Sequence, residues 1–315
     1  MTWTLLALPP VPRDAVLGLF GGLEVELLTP AERTQEAVDV LLPQADLVVA
    51  DWSPTLRVGD PGPRVALVQQ PGVGYDGVDT GACARAGVPV ANCAGANTTS
   101  VAEWCVSATL ALLRRTVRAD AAVREGSWPQ TSLGGQELAG KRVGVVGMGP
   151  IGRATAQLFA AFGCDVAYWS RSRHADAPVP YAELDDLVAG SDVVVLVIAL
   201  GPQTRHLLDA ARLRPGALVV NGARGEVLDE AALVAGLHSG QVGGAALDVF
   251  AVEPLPPGSP LRAAPNVLLS PHMAGSTTQA AVRILGQTAA NLRRALAGEP
   301  VADVVNGVDP LVRRR

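Results

Sequence analysis

Short apolar runs alternate with stretches at helical spacing through the first third of the chain. The runs that predict strands are TWTLLAL, LEVELL, ADLVVAD, RVALVQ and VPVANC. Arg13–Phe20, between the first and second runs, and Arg33–Leu42, between the second and third, have the amphipathic spacing of helices. This alternation is typical of a parallel sheet whose strands are joined by crossover helices.

A second and stronger alternation begins at Arg142. Its apolar runs predict strands at Arg142–Val146, Asp165–Trp169, Asp192–Ile198, Ala217–Val220, Gly244–Val249 and Val267–Leu269. The stretches between them predict helices at Ile151–Phe162, Ala182–Val188, Ala210–Leu213 and Glu230–His238. Six strands with helices between them describe a complete doubly wound domain.

Two long helical stretches flank this second alternation. Thr98–Val117 predicts one long helix, which a polar bridge, Arg124–Gly140, connects to the first strand of the second alternation. The last stretch, Thr277–Leu296, is too short to form a domain, so we expect it to return to the first sheet. The predicted domains are therefore a discontinuous one, 1–96 plus 276–315, and an inserted one, 97–275.

Length and composition support two packed domains. The chain has 315 residues, more than one core usually spans, and 49% of them are hydrophobic against 17% charged, which excludes wholesale disorder. The net charge of −5 argues against a nucleic-acid or membrane-surface partner. Lys141 is the only lysine and lies in no P-loop motif, which excludes P-loop nucleotide hydrolysis.

The cysteine spacing and the N-terminal segment indicate the cellular compartment in which the protein is expected. The four cysteines are far apart without a CxxC pair, so neither a metal site nor a disulfide framework is expected. The N-terminus lacks the basic region of a signal peptide, and the apolar runs are too short to span a membrane. We therefore expect a cytoplasmic protein.

The segment VGVVGMGPIGRATAQLF carries the sharpest local motif. An apolar strand leads into Gly147, Gly149 and Gly152 and then directly into a helix. This context predicts a dinucleotide-binding turn, with the pyrophosphate on the amides of the helix N-terminus. The alternative is a glycine-rich turn that binds nothing.

The end of the next strand bears on which dinucleotide is bound. An acidic residue that would bind the adenosine ribose is expected there, but the chain has Ser170, followed by Arg171 and Arg173. A hydroxyl and two guanidinium groups favour the 2′-phosphate of NADP, with NAD as the other possibility. The alternative is a solvated loop with incidental arginines.

Proton chemistry points to one of the four histidines. His174, His206 and His238 are interpreted as structural or surface residues, whereas His272 follows an apolar strand. Two other predicted strands lead to Arg224 and Glu253. Because open α/β sheets bind ligands at the carboxyl ends of their strands, we interpret this cation, carboxylate and imidazole as one candidate site.

With these motifs the chain resembles the D-isomer-specific 2-hydroxyacid dehydrogenases over nearly its whole length. The matching segments are QPGVGYDGVDTGACARAGVPVANCAGANTTSVAE, VGVVGMGPIGRA, VVNGARGEVLDEAAL, GAALDVFAVEPLP and LLSPHMAGST. The resemblance implies an α/β fold with two doubly wound parallel-sheet domains. In it a Rossmann nucleotide-binding domain is inserted into a smaller, flavodoxin-like substrate domain. The resemblance further implies a homodimer that pairs through the helix Ser100–Arg118 and the bridge after it, and the alternative is burial of this helix under its own sheet.

The resemblance also implies residue roles. Arg224 would bind the substrate carboxylate, His272 would be the acid/base, and Glu253 would orient the imidazole and stabilise its protonated form. Val73 and Gly74 would offer backbone amides to the carboxylate. Further cofactor contacts are implied at Pro150, Ile151, Thr204, Ala223, Asp248 and Gly275. The stretch ALGPQTR departs from the usual family motif, which weakens the implied role of Thr204.

Three functions follow from these residues. The leading hypothesis is an NADPH-preferring oxidoreductase that reduces a small 2-oxo acid, such as glyoxylate or hydroxypyruvate, to the D-2-hydroxy acid. An NAD-dependent phosphite-type dehydrogenase of the same family could use the same Arg, Glu and His. A dinucleotide-sensing, corepressor-like interaction protein is the alternative outside catalysis. Substrate size is expected to depend on the loops at 51–54 and 72–75 and on Trp128.

Overall fold

The fold is described from a computed structural model that covers residues 2–10, 14, 16, 18, 22–53 and 55–315. The chain forms two compact units: Met1–Asn97 with Thr278–Arg315, and Thr98–Thr277. The first unit is therefore discontinuous in sequence. Most of the predicted helix Arg13–Phe20, and Pro54 in a predicted substrate loop, lie outside the described residues.

Eleven strands and eight helices are described. The strands are β1 Trp3–Ala7, β2 Val25–Leu28, β3 Leu47–Val49, β4 Leu67–Gln69, β5 Val90–Ala91, β6 Arg142–Val146, β7 Asp165–Trp169, β8 Val193–Leu196, β9 Ala217–Asn221, β10 Val242–Leu247 and β11 Val267–Leu269. The helices are α1 Gln35–Leu41, α2 Thr80–Arg85, α3 Thr98–Leu113, α4 Thr116–Arg124, α5 Pro150–Ala161, α6 Leu184–Gly190, α7 Glu230–Ser239 and α8 Thr278–Ala297.

The first unit is built on a five-stranded parallel sheet. Its strand order is β2-β1-β3-β4-β5, which is the flavodoxin-like order. Strands β3, β4 and β5 are fully buried, and α8 contributes Ala289 and Leu292 to the core that contains Leu5, Leu47 and Leu67. The last helix therefore packs on the first sheet, as the sequence predicts.

The second unit is built on a six-stranded parallel sheet with the order β11-β10-β9-β8-β6-β7. Tyr181 pairs in parallel with Tyr168 on the outer side of β7, a pairing that the apolar pattern did not indicate. With Tyr181 counted as the third strand, the order from that edge becomes 3-2-1-4-5-6-7, and its first six positions match the Rossmann order. The predicted fold class is confirmed.

The predicted single helix Thr98–Val117 is wrong. Helix α3 ends at Leu113, and α4 begins at Thr116 after Arg115, whose φ is +54°. The carbonyl oxygen of Leu113 accepts a hydrogen bond from the Gln136 N–H at 2.9 Å instead of from the next helical turn. A contact distant in sequence therefore ends the helix, although the apolar pattern continues through the break.

Other predicted elements differ mainly at their ends. The predicted helix Ala210–Leu213 is only a 3-10 turn, Ala210–Arg212. The predicted strand Gly244–Val249 begins two residues earlier, at Val242, and ends at Leu247. No helix among the described residues combines the length and the apolar character needed to span a bilayer.

Candidate active site

Three neighbouring strands of the second unit carry the predicted triad at their carboxyl ends. Strand β10 lies between β9 and β11, and Leu247 pairs with both Asn221 and Leu269. Arg224, Glu253 and His272 each follow within six residues of these paired positions. Parallel pairing therefore brings the loops that carry all three residues to one edge of one sheet.

The imidazole of His272 is hydrogen-bonded to the carboxylate of Glu253. The distance from His272 Nδ1 to Glu253 Oε2 is 2.7 Å, and the other carboxylate oxygen, Oε1, accepts from the Phe250 N–H at 2.9 Å. An ionised carboxylate only accepts hydrogen bonds, so the proton of this pair belongs to Nδ1. The imidazole Nε2 is left for a ligand, and 43% of the side chain is exposed.

The environment of Glu253 keeps its carboxylate ionised. Burial raises its pKa. The hydrogen bonds from His272 and from the Phe250 N–H, together with the positive charges of His272 and Arg224, lower the pKa by more than burial raises it. The net result is a pKa below the usual value of a glutamate. Among these causes the charge of Arg224 is the smallest.

A fully buried amide orders the loop that carries Arg224. Asn221, the last residue of β9, donates from Nδ2 to the Arg224 carbonyl at 3.0 Å and accepts from the Ala223 N–H at 3.0 Å. Arg224 donates from Nη1 to the Ala223 carbonyl at 2.7 Å. A Cβ on Gly225 would lie 1.9 Å from the carbonyl carbon of Phe250, so this loop packs directly on the loop after β10.

The glycine turn after β6 has the geometry of a dinucleotide-binding turn. Gly147 has a φ of +109°, and a Cβ on Gly152 would lie 2.0 Å from the Gly147 carbonyl oxygen, so both positions require glycine. A Cβ on Gly149 would meet nothing within 4 Å. Gly149 caps α5, and Pro150 and Ile151 begin it. The open space at this helix N-terminus fits the pyrophosphate of a dinucleotide.

The loop after β7 offers fewer free cations than its sequence suggests. The guanidinium of Arg173 pairs with Glu183 at 2.8 Å and lies over the ring of Tyr181. Ser170 is buried, and its hydroxyl donates to the Ser172 carbonyl at 2.5 Å. Arg171 is exposed and makes no ion pair or hydrogen bond within the described part of the chain.

The remaining predicted cofactor residues of this unit have largely structural contacts. The Thr204 hydroxyl is buried, donates to the Ala199 carbonyl and accepts from the Gly201 N–H, both at 2.8 Å. The Asp248 carboxylate accepts hydrogen bonds from the loop that carries His272. Gly275, at the end of that loop, is half-buried, and its carbonyl accepts from the Thr277 N–H at 3.1 Å.

Val73 and Gly74 belong to the first unit, in the loop after β4. The Val73 carbonyl accepts from Asn92 Nδ2 at 2.8 Å. The N–H groups of Val73 and Gly74 donate to no atom of the described residues. They are therefore available to an anion.

Sequence reasoning missed several polar residues that order the site. Asn221 orders the Arg224 loop, Ser270 contacts Asp248, and Glu230 accepts from the Ala251 N–H at 2.6 Å in the loop leading to Glu253. A polar residue at the end of an apolar strand, as in ALVVN and NVLLS, is the signal that could have indicated the first two. Within the described residues no group of three or more His, Cys, Asp or Glu is arranged to hold a metal ion.

Comparisons with known proteins agree with this architecture. Residues 106–274 match the family described as "D-isomer specific 2-hydroxyacid dehydrogenase, NAD binding domain". A D-3-phosphoglycerate dehydrogenase of Mycobacterium tuberculosis is 40% identical over 274 residues, which are 84% of this chain and 52% of that protein. The chain thus spans about half the length of this curated relative.

Two further relatives are matched over more of their length. A glyoxylate reductase of Thermofilum pendens is 38% identical over 262 residues, covering 79% of this chain and 77% of that protein. The crystal structure of the TT0316 protein from Thermus thermophilus has a TM-score of 0.85 and 32% identity, over 96% of this chain and 99% of that one. The chain belongs to the D-isomer-specific 2-hydroxyacid dehydrogenase family.

Proposed function

We propose that this chain reduces a small 2-oxo acid, such as glyoxylate or hydroxypyruvate, to the D-2-hydroxy acid with NADPH, or less efficiently with NADH. The observation that carries the proposal is the 2.7 Å contact between His272 Nδ1 and Glu253 Oε2 at the strand ends next to the Arg224 loop. An acid/base and a carboxylate-binding cation are what the reduction of a 2-oxo acid requires.

His272 is the acid in the reductive direction and the base in the reverse direction. Glu253 occupies Nδ1, so Nε2 carries the proton that passes to the oxygen on C2 as negative charge develops there. The ionised carboxylate of Glu253 stabilises the imidazolium and fixes the plane of the ring. The nicotinamide, when bound, supplies the hydride that C2 receives.

Arg224 binds the carboxylate of the substrate. Its planar guanidinium can hold two carboxylate oxygens at once, which fixes the orientation of the adjacent carbonyl group. Val73 and Gly74 are proposed to offer their N–H groups to a carboxylate, which rests on the family resemblance and on the open N–H groups of these two residues within their own unit.

The cofactor is held by the glycine turn and by the loop after β7. Gly147, Gly149 and Gly152, with the first residues of α5, bind the pyrophosphate at the helix N-terminus. The preference for NADPH rests mainly on Arg171, because Arg173 is already paired with Glu183. A carboxylate at Ser170 would be expected in an NAD-specific member.

The chain forms a homodimer through α4 and the bridge that follows it, and not through the whole predicted segment Ser100–Arg118, because nine of the 16 residues of α3 are buried. Every side chain of α4 is at least partly exposed, including those of Val117 and Val123, and Trp128 beyond it is 77% exposed. Exposed apolar side chains along this one segment are the feature that favours an interface here. Light scattering of the purified chain should give twice the chain mass, and a monomer would contradict this part of the proposal.

A substrate panel with both cofactors tests the proposed function. The loss of reduced nicotinamide absorbance is followed with glyoxylate, hydroxypyruvate, pyruvate and longer 2-oxo acids, each with NADPH and with NADH. We expect turnover on at least one small 2-oxo acid and a higher kcat/KM with NADPH. Tight binding of NADPH without turnover on any member would overturn the enzymatic proposal and favour a dinucleotide sensor. Equal kcat/KM with both cofactors would overturn the NADPH preference alone.

A further inference from the structure

The carboxylate of Asp248 lies beneath the loop that carries His272. Asp248 directly follows β10 and is only 2% exposed. Its Oδ1 accepts from the Ser270 hydroxyl at 2.6 Å and from the Met273 N–H at 2.8 Å, and its Oδ2 accepts from the Ala274 N–H at 2.7 Å. The Asp248 carbonyl accepts from the His272 N–H at 2.8 Å. One residue therefore binds the loop on both sides of the histidine.

The backbone of His272 needs such support. Its φ is +53°, in the left-handed region that side chains other than glycine rarely adopt. A conformation of this kind persists only where the surrounding contacts determine it. Here those contacts are the hydrogen bonds from Ser270, Met273 and Ala274 to one buried carboxylate, since Ser270 and Met273 lie on either side of the strained residue.

We propose that Asp248 and Ser270 are positioning residues for His272, a role that rests on the proposed function. Together they hold the loop so that His272 Nδ1 meets Glu253 and Nε2 faces the substrate. They touch neither the reacting atoms nor the Glu253 carboxylate, and they act through the backbone of residues 272–274.

The chemistry of the contact requires a carboxylate at position 248. The two oxygens accept from consecutive backbone N–H groups, Oδ1 from that of Met273 and Oδ2 from that of Ala274. An asparagine would have to turn its own NH2 group towards one of these donors, which leaves that buried N–H without an acceptor. Asp248→Asn therefore releases one of these two N–H groups at almost unchanged side-chain volume.

Kinetics of four variants test the proposal. Ser270→Ala removes the hydrogen bond from its hydroxyl to Asp248, and Ser270→Thr retains the hydroxyl. Asp248→Asn removes the acceptor of one of the two backbone N–H groups, those of Met273 and Ala274. Ser191→Ala is the matched control, because the buried Ser191 hydroxyl also makes a hydrogen bond, at 2.6 Å to the Leu187 carbonyl, but directly after α6 and before β8. That position lies at the opposite, amino-terminal edge of the same sheet.

We expect a loss of kcat that is not shared by cofactor binding. Ser270→Ala should lower kcat about tenfold, while its Kd for NADPH stays within about threefold of wild type. Asp248→Asn should lower kcat about 100-fold. Ser270→Thr should restore most of the kcat, and Ser191→Ala should leave it unchanged. A normal kcat in both Ser270→Ala and Asp248→Asn, or equal losses in kcat and in NADPH affinity in Ser270→Ala, would overturn the positioning role.

Hydrogen exchange separates this inference from the proposed function. The amides of Met273 and Ala274 should exchange slowly in wild type and faster in Ser270→Ala and Asp248→Asn, with no change in Ser191→Ala. Unchanged exchange in Asp248→Asn would show that the carboxylate does not hold the loop. If wild type reduced no 2-oxo acid but the exchange rates changed as expected, the proposed function would fail while the loop contact would stand.

Discussion

The Nδ1 atom of His272 lies 2.7 Å from Oε2 of Glu253, although the two residues follow different strands of the sheet. The contact depends on a charge as well as on a geometry, because the Glu253 carboxylate remains ionised beside the imidazole. It therefore allows the contribution of the charge to be separated from that of the hydrogen bond.

Replacement of Glu253 by Gln should keep the side-chain shape and lose the charge. Because the neutral amide stabilises the imidazolium less well, we expect kcat for 2-oxo acid reduction to fall about 10- to 100-fold. His272→Asn is the companion variant, since asparagine tolerates a positive φ and so preserves the loop, and it should lose at least about 100-fold in kcat. Steady-state kinetics measure both, and near-normal turnover in His272→Asn would remove this residue from the mechanism.

The pKa of Glu253 also predicts how stability depends on pH. A carboxyl whose pKa is lower in the folded state stabilises the fold at pH values above its unfolded-state pKa, and this stabilisation is lost as pH falls through the folded-state pKa. Wild type should therefore lose more stability than Glu253→Gln when the pH is lowered from above about 4.3. Urea unfolding of both proteins at several pH values measures the difference, and parallel pH profiles would contradict the prediction.

Replacement of Arg224 by Lys should weaken substrate binding more than cofactor binding. An ammonium group cannot hold two carboxylate oxygens in one plane, so we expect the KM for the 2-oxo acid to rise about 10- to 100-fold. Arg205→Lys is a matched control, because Arg205 forms an exposed ion pair with Glu226 at 2.7 Å and should tolerate lysine. An equal effect of the two substitutions would count against a substrate contact at Arg224.

Two alanine substitutions in the glycine turn should behave differently. Gly152→Ala places a Cβ 2.0 Å from the Gly147 carbonyl oxygen, so we expect a large loss of Tm. Gly149→Ala meets open space and should keep the wild-type Tm but lose affinity for NADPH, because the methyl group fills the position of the pyrophosphate. Thermal unfolding and NADPH titration distinguish them. Wild-type NADPH affinity in Gly149→Ala would show that the phosphates bind elsewhere.

Cofactor preference should depend on Arg171 more than on Arg173. Arg171→Ala should lower kcat/KM with NADPH about tenfold and leave the value with NADH unchanged, since only NADPH carries the 2′-phosphate. Arg173→Ala should have a smaller effect, because its guanidinium is held by Glu183 and Tyr181. Equal losses with both cofactors in Arg171→Ala would mean that the residue does not contact the 2′-phosphate.

The strands and the glycine turn could be predicted from the sequence because buried parallel strands are continuous apolar runs that end at turn residues. The edge at which Arg224, Glu253 and His272 meet followed from the same pattern. Contacts between distant segments could not be predicted in this way. The hydrogen bond from the Gln136 N–H ends α3 at Leu113, although the apolar pattern of a helix continues beyond it. Glu183 forms an ion pair with Arg173, which the sequence had indicated as a ligand of the 2′-phosphate.

The left-handed conformation of His272 was equally beyond the sequence. Residue type alone does not indicate a positive φ at a histidine, because that conformation depends on hydrogen bonds to Asp248, 24 residues earlier in the chain. The residues of the candidate site could thus be named from the sequence, whereas the hydrogen bonds that support them could not.

The discontinuity of the first unit has a consequence for biosynthesis. Strands β1 to β5 leave the ribosome before the inserted unit, but their core lacks Ala289 and Leu292 of α8, and the Val90 N–H lacks its acceptor, Oδ1 of Asn306, until residue 306 has been synthesised. The inserted unit has all its strands by residue 269. The five-stranded unit is therefore expected to complete its fold only after the inserted unit. In released chains truncated after residue 277, the inserted unit should resist protease while the residues before Thr98 are cleaved.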